Sequence, residues 1–338
     1  MPSYLTVEPG TQILLAARGG RPSAAHVFEQ EAIRAVNAAL GAGRPLLIRG
    51  EPGTGKSQLA RAVAEQLGRA FVHCVVDART EAQSLCYSLD AVARLAKAQL
   101  LGAADKLELS KLHDLLHPRH FVDPGVLWWA FHWESACKQA GHATEIDPTV
   151  PGHPPDWAPE DGCVVLIDEI DKADSSVPNG LLEALGEGDF AVPAGCGDGS
   201  NRVSVAGAWP LVVVTTNEER ALPDAFLRRC LVLSLRLPED PVELKDWLVA
   251  RGRAHSASLS SDWSDAVLDR VLQTAAALLV EDRRAVRGQG LSAPGQAEYL
   301  DLVRTVLAQA TELEQDPLEV LQWCAGFTFR KHPEEPSA

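Results

Sequence analysis

Apolar positions recur along this chain with two different periods. Helical spacing runs from Val27 to Leu40, and the apolar block Leu46-Leu47-Ile48 that follows reads as a strand. A helical pattern beginning near Lys56 extends to about Leu67, and Phe71 to Val76 reads as the next strand. Two later blocks, Cys163 to Ile167 and Leu211 to Thr216, are unbroken runs of mostly β-branched residues, the pattern of parallel strands covered on both faces. Leu231 to Ser234 reads as one more strand. Strands separated by helical segments predict an α/β domain.

The stretch from Asp77 to Gly162 is too long for an ordinary connection and must carry its own structure, a helical insertion at about 79–160. Leu89 to Leu101 and Lys106 to Leu116 have helical spacing, and Asp123-Pro124 predicts a capped helix start running to about Ala140. Five prolines between Pro148 and Pro159 predict an exposed, stiff connector over Asp147 to Asp161. Between the Cys163 and Leu211 strands lie a helix, Pro178 to Leu185, and a β-hairpin, Asp189 to Val192 and Arg202 to Val205 joined by a Gly-rich turn. Asp-Pro openings recur at Asp240-Pro241 and Asp316-Pro317, placing about four helices between Pro241 and Ala325. The expected organisation is an N-terminal extension over 1–26, an α/β core over 27–238, a helical domain over 239–330 and a disordered tail over 331–338.

With 338 residues, 46% of them hydrophobic, the chain can bury a sizeable core. No apolar stretch is long enough to span a membrane, and Met1 to Gly10 lacks the basic-then-apolar order of a secretory signal, so the expected location is the cytoplasm. Seven scattered cysteines with no CxxC pair argue against a disulfide framework and a zinc module. A net charge of −15 repels polyanions, which disfavours nucleic acid and leaves protein partners as the default.

Gly50-Glu51-Pro52-Gly53-Thr54-Gly55-Lys56-Ser57 fits GxxxxGK[ST] and sits between a strand and a helix. Its glycines allow consecutive backbone N–H groups to face one anion, while the helix N-terminus adds partial positive charge. Lys56 would reach the β- and γ-phosphates of ATP, and Ser57 would ligate Mg²⁺. The Cys163 strand ends in Asp168-Glu169, carboxylates suited to holding the Mg²⁺ hydration shell and polarising an attacking water, respectively. The Leu211 strand ends at Asn217, whose amide can donate to a γ-phosphate and accept from water. Leu222 to Arg229 then presents the paired arginines Arg228 and Arg229.

Taken with Leu166 to Asp171, this set resembles the AAA+ ATPases, and within them the MoxR-like group and the related chelatase motor subunits. The resemblance is good over Val27 to Leu237 and weak over the C-terminal helices. It implies a five-stranded parallel sheet, a helical lid, and a ring, usually hexameric, that hydrolyses ATP at subunit boundaries and remodels a partner protein. For the MoxR-like group, that partner would carry a von Willebrand factor A domain. An arginine finger would come from the neighbour, Arg229 foremost and Arg228 second. In related ATPases the hairpin often faces the ring pore. The lid sensor arginine of many relatives has no counterpart in Gly290 to Gln296, which leaves Arg283, Arg284 or Arg287 as substitutes. The alternatives are a chelatase motor, a nucleic-acid-directed motor of a defence system and a nucleotide-gated scaffold.

Two further clusters have bland readings. His113, His117 and His120 lack a carboxylate or cysteine to complete a metal set, and Pro118 breaks their helix. Trp128, Trp129, Phe131 and Trp133 are expected to pack the insertion against the core.

Overall fold

The computed structural model describes residues 4–17, 23–102, 108–256, 263–286 and 293–329. The elements begin with β1 (Gln12–Leu15), β2 (Ala24–Val27), α1 (Gln30–Ala42), β3 (Leu46–Arg49), α2 (Lys56–Leu67) and β4 (Ala70–Val75). There follow α3 (Ala82–Cys86), β5 (Tyr87–Leu89), α4 (Ala91–Gly102), α5 (Leu109–Leu115), β6 (Val122–Pro124), α6 (Val126–Phe131) and α7 (Trp133–His142). Then come β7 (Cys163–Asp168), α8 (Ser176–Glu187), β8 (Asp189–Ala191), β9 (Arg202–Ser204), β10 (Leu211–Thr216), α9 (Asp224–Leu227) and β11 (Leu231–Ser234). The last elements are α10 (Pro241–Ser256), α11 (Asp265–Val286), α12 (Gln296–Leu313) and α13 (Pro317–Thr328). The chain divides into two compact units. One holds residues 4–6, 31–49 and the described part of 63–233; the other holds the described parts of 7–30, 50–62 and 234–329.

The first unit is built on a five-stranded parallel sheet of order β11-β3-β10-β7-β4. Leu46, Leu47, Ile48, Val164, Val165, Ile167 and Val214 are fully buried, as unbroken β-branched runs require. Each such side chain contributes about 1.5–3 kcal/mol of burial. The register sets Val214 against Ile167 and Thr216 against Arg49, so the C-terminal ends of β7, β10 and β3 share one edge.

The insertion packs on this sheet as expected: Trp128, Trp129, Phe131 and Trp133 join the core cluster that includes Val165 and Ile167. Both buried indoles in α6 are satisfied, Trp128 Nε1 donating to Ser135 Oγ (3.2 Å) and Trp129 Nε1 to the Pro124 carbonyl (3.1 Å). The helix start differs from the expectation at Asp123-Pro124. Those residues lie in β6, paired antiparallel with β5, and Gly125 is the residue before α6. Gly125 N–H donates to the Cys86 carbonyl, and a Cβ there would stand 2.6 Å from the carbonyl oxygens of Ser84 and Leu85. Only glycine fits this crossing, so tertiary pairing overrides the local capping signal. A second expectation, an exposed connector over Asp147 to Asp161, also fails in part. Trp157 is buried, donates to the Gly162 carbonyl at 2.8 Å and stacks edge-on against Trp133.

The β8–β9 hairpin forms at the expected place, Phe190 opposite Val203. Its tip is anchored to the insertion: Gly197 N–H donates to Gln139 Oε1 (3.0 Å), and a Cβ on Gly197 would meet Ser135 Oγ at 2.5 Å. Trp128 also lies edge-on to Phe190.

In the second unit α10 to α13 enclose a core that includes Leu248, Val271, Leu279, Tyr299 and Val306. Asp240 Oδ1 accepts from the N–H groups of Val242 and Glu243, and Asp316 Oδ1 from Leu318, so both of these Asp-Pro pairs open helices. The expected N-terminal extension carries the antiparallel hairpin β1–β2, tied to α10 by Arg251 donating to the Val27 carbonyl at 2.8 Å. Val27 therefore ends a strand, and the helix expected from that residue starts at Gln30. The chain stays extended because Phe28 N–H donates to Thr11 and Gly10 N–H to Phe28. The expected tail over 331–338 lies outside the described residues.

Candidate functional site

In the second unit, Gly50 to Ser57 forms a loop entering α2. Gly50, Gly53 and Gly55 all have positive φ (152°, 77° and 88°), a conformation that side chains with a Cβ rarely adopt. Space also excludes a Cβ at two of them: one on Gly50 would stand 2.3 Å from the Leu235 carbonyl oxygen, and one on Gly53 would stand 2.9 Å from Ala297 Cβ. Lys56 is buried, and its Nζ donates to the carbonyls of Gly50 (2.7 Å) and Glu51 (2.9 Å). Thr54 Oγ1 donates to the Glu51 carbonyl, completing a loop braced from within. A backbone-lined loop with an ammonium at its base and a following helix N-terminus fits a polyphosphate.

In the first unit, β7 delivers Asp168 and Glu169 to the sheet edge. Thr215 ties the pair together, its hydroxyl donating to Asp168 Oδ1 and accepting from the Glu169 N–H at 2.9 Å. Glu169 adopts a left-handed conformation, φ 61° and ψ 46°, which costs a non-glycine residue about 1–3 kcal/mol and is held only by surrounding structure. Its Oε1 lies 3.5 Å from Asn217 Nδ2, and Lys172 Nζ stands 4.0 Å from Oε2. Asp168, Glu169 and Asn217 are thus brought to one place.

Two residues of this group carried no role in the sequence reading. Thr215 is one, and its signal was a hydroxyl, shared with Thr216, at the end of an otherwise apolar strand. Asp171 is the other. It is 2% exposed, and its carboxylate accepts from the N–H groups of Asn217 (3.2 Å) and Glu219 (3.0 Å), holding the turn after β10. Asp171→Ala would leave both N–H groups without this acceptor, lowering stability by about 1–3 kcal/mol. Displacing Asn217 should also slow ATP turnover about 10²-fold. Asp171→Asn keeps an acceptor oxygen and should recover most of both. Urea unfolding and phosphate release check the two effects.

Arg228 and Arg229 follow α9, and both are exposed. Arg229 Nη1 donates to the Ala225 carbonyl at 3.3 Å, while the Arg228 carbonyl accepts from Arg44. Of the three arginines named as lid candidates, Arg283 reaches the glycine-rich loop, its Nη2 lying 2.9 Å from Glu51 Oε2. Arg284 is exposed; Arg287 and Gly290 to Ser292 lie outside the described residues.

Two of the three histidines make local structural contacts. His117 caps a short 3-10 turn by accepting from Arg119 N–H, and His120 lies 3.1 Å from the His142 carbonyl oxygen. No metal-holding cluster occurs among the described residues. Cys86, Cys163, Cys196, Cys230 and Cys324 are buried. Burial pushes the Cys86 and Cys163 thiols up to about 12, far from a reactive thiolate.

A parallel sheet with carboxylates at its C-terminal edge and a GxxxxGK[ST] loop before α2 define a P-loop ATPase. The chain belongs to the AAA domain family, dynein-related subfamily, whose model matches residues 45–230, more than half of its length. The matched span runs from the residue before β3 to the one before β11, and it includes every candidate site residue named above except the lid candidates Arg283, Arg284 and Arg287. A protein from Cytophaga hutchinsonii ATCC 33406, provisionally described as an ATPase, is similar at 13% identity, covering 87% of this chain and 78% of that one, with a TM-score of 0.35. That likeness carries no further argument. No curated protein matched the chain. Among the described residues no helix is long and apolar enough to cross a membrane.

Proposed function

We propose that this AAA ATPase is a MoxR-like motor that binds Mg-ATP, hydrolyses it in a homo-oligomeric ring of about six subunits, and uses the cycle to remodel a partner protein. The single observation that carries the hydrolytic reading is the grouping of Asp168, Glu169 and Asn217 at one sheet edge, pinned by Thr215 and Asp171. Structural strands need no such arrangement.

The roles follow from chemistry. Gly50 to Gly55 present N–H groups to phosphate oxygens, and Lys56 places a point charge among them. The hydroxyl of Ser57 and the carboxylate of Asp168 are the hard oxygen donors that Mg²⁺ prefers. When bound, the metal would neutralise phosphate charge as the terminal phosphoryl group leaves. Glu169 accepts a proton from the attacking water, and Asn217 orients that water and donates to a phosphate oxygen. Arg229, or Arg228 beside it, supplies a guanidinium to a neighbouring subunit. A partner with a von Willebrand factor A domain and a cytoplasmic setting are the remainder of this reading, and the acidic balance of the chain favours a protein target over nucleic acid.

Calorimetric titration with Mg-ATP, followed by phosphate-release assays, tests the proposal. Wild-type protein should bind and hydrolyse ATP, and Lys56→Ala should weaken binding at least ~100-fold, as expected when a charge-assisted phosphate contact is lost. Binding unaffected by that change would reject the assignment of the loop. A chelatase-type subunit recovered with the protein would favour a chelatase motor instead.

A further inference from the structure

Arg283 lies near the end of α11, yet its guanidinium is engaged at two points beyond that helix. Nη2 pairs with Glu51 Oε2 at 2.9 Å, and Nη1 donates to the Pro294 carbonyl at 2.7 Å, immediately before α12. The Arg283 side chain is 18% exposed, so this pair is less screened than an ordinary surface bridge, although Glu51 itself is 57% exposed. The first turn of α12 is equally close to the loop. Cβ atoms built on Gly53 and Gly295 would meet Ala297 Cβ at 2.9 Å and the Pro52 carbonyl oxygen at 3.2 Å, and Gln296, 7% exposed, stands beside Gly55. Glu298 braces that turn by accepting from the Gly295 N–H at 3.0 Å.

We propose that Arg283 is a positioning residue that acts through Glu51, fixing the glycine-rich loop to the first turn of α12. A phosphate-binding loop holds its ligand with backbone N–H groups, so its affinity depends on how well those groups are pre-ordered. Arg283 supplies that order from the C-terminal helices while its charge is neutralised by Glu51. The second residue of the loop thereby acquires a role that its side chain could not perform on phosphate, since a carboxylate repels it.

The inference rests on the nucleotide reading of Gly50 to Ser57, and two measurements on the full chain separate the two. Without nucleotide, Arg283→Gln and Glu51→Gln should each raise hydrogen exchange of the amides of residues 50–56 at least ~10-fold, while β7 exchanges as in wild type. With Mg-ATP, each should raise Kd about 10-fold, and Arg283→Gln should leave the turnover number at saturation within about twofold, because order rather than chemistry is lost. The charge-swapped double variant Glu51→Arg/Arg283→Glu should restore exchange to within about threefold of wild type. Single variants that exchange like wild type, or a swap no better than either single, would overturn the proposal. If the variants show the expected exchange behaviour but wild-type protein binds no Mg-ATP, the nucleotide reading falls and the positioning role stands. Glu51 is exposed on a loop, so its variant reports even if Arg283→Gln lowers the stability of α11.

Discussion

Glu169→Gln will bind Mg-ATP about as tightly as wild type and hydrolyse it about 10²–10⁴ times more slowly, the range lost when a positioned general base is removed. The change is nearly isosteric and keeps an oxygen to face Asn217 Nδ2, 3.5 Å from Oε1 in the wild-type protein. What disappears is the capacity to accept a proton. Because Glu169 sits in a left-handed conformation held by the Thr215 hydroxyl on its own N–H, the backbone should keep its place when the side chain loses its charge. Equilibrium binding with single-turnover phosphate release checks this. Equal turnover in the variant would remove Glu169 from the chemistry, and weakened binding would mean that it helps hold the nucleotide instead.

The second large effect is at the paired arginines. Arg229→Ala should cost about 10³-fold or more in turnover if its guanidinium stabilises charge in a neighbour's site, the scale of an arginine finger. Mixing this variant with Lys56→Ala protein should restore part of the activity if the proposed ring forms, since a mixed ring would contain interfaces with one intact loop and one intact arginine. Arg229 must give up its 3.3 Å contact with the Ala225 carbonyl to act in this way, a weak bond at an exposed position. Arg228→Ala provides the comparison. If Arg228→Ala is the inactive variant and Arg229→Ala retains activity, Arg229 only caps α9 and the finger is its neighbour; no complementation in either mixture would argue against a site shared between subunits.

The features most legible in sequence were those fixed by local chemistry. A continuous run such as Cys163 to Ile167 has one stable use, a strand buried on both faces, and the acids that end it must then lie at the sheet edge. The glycines of the loop were legible because positive φ is written in residue type. Asp171 and Thr215 were harder to read, since each acts on residues more than forty positions away and a lone Asp or Thr has many local uses. Asp123-Pro124 misled for the opposite reason: its capping signal is genuine, but strand pairing at Ser88-Asp123 and the close crossing at Gly125 outweigh it. Arg283 was one of three named candidates, and only the fold distinguishes it by its contact with Glu51.

The tip of the β8–β9 hairpin is fastened to Gln139 and fills the space beside Ser135 and Trp128. Shortening that tip would therefore open a polar vacancy in the insertion at the same time as removing a loop. A chimera that imports a relative's hairpin into this chain should reach full stability only if residues 118–142 are imported with it. The two segments form a single cassette, and sequence drift in either is expected to be answered by drift in the other.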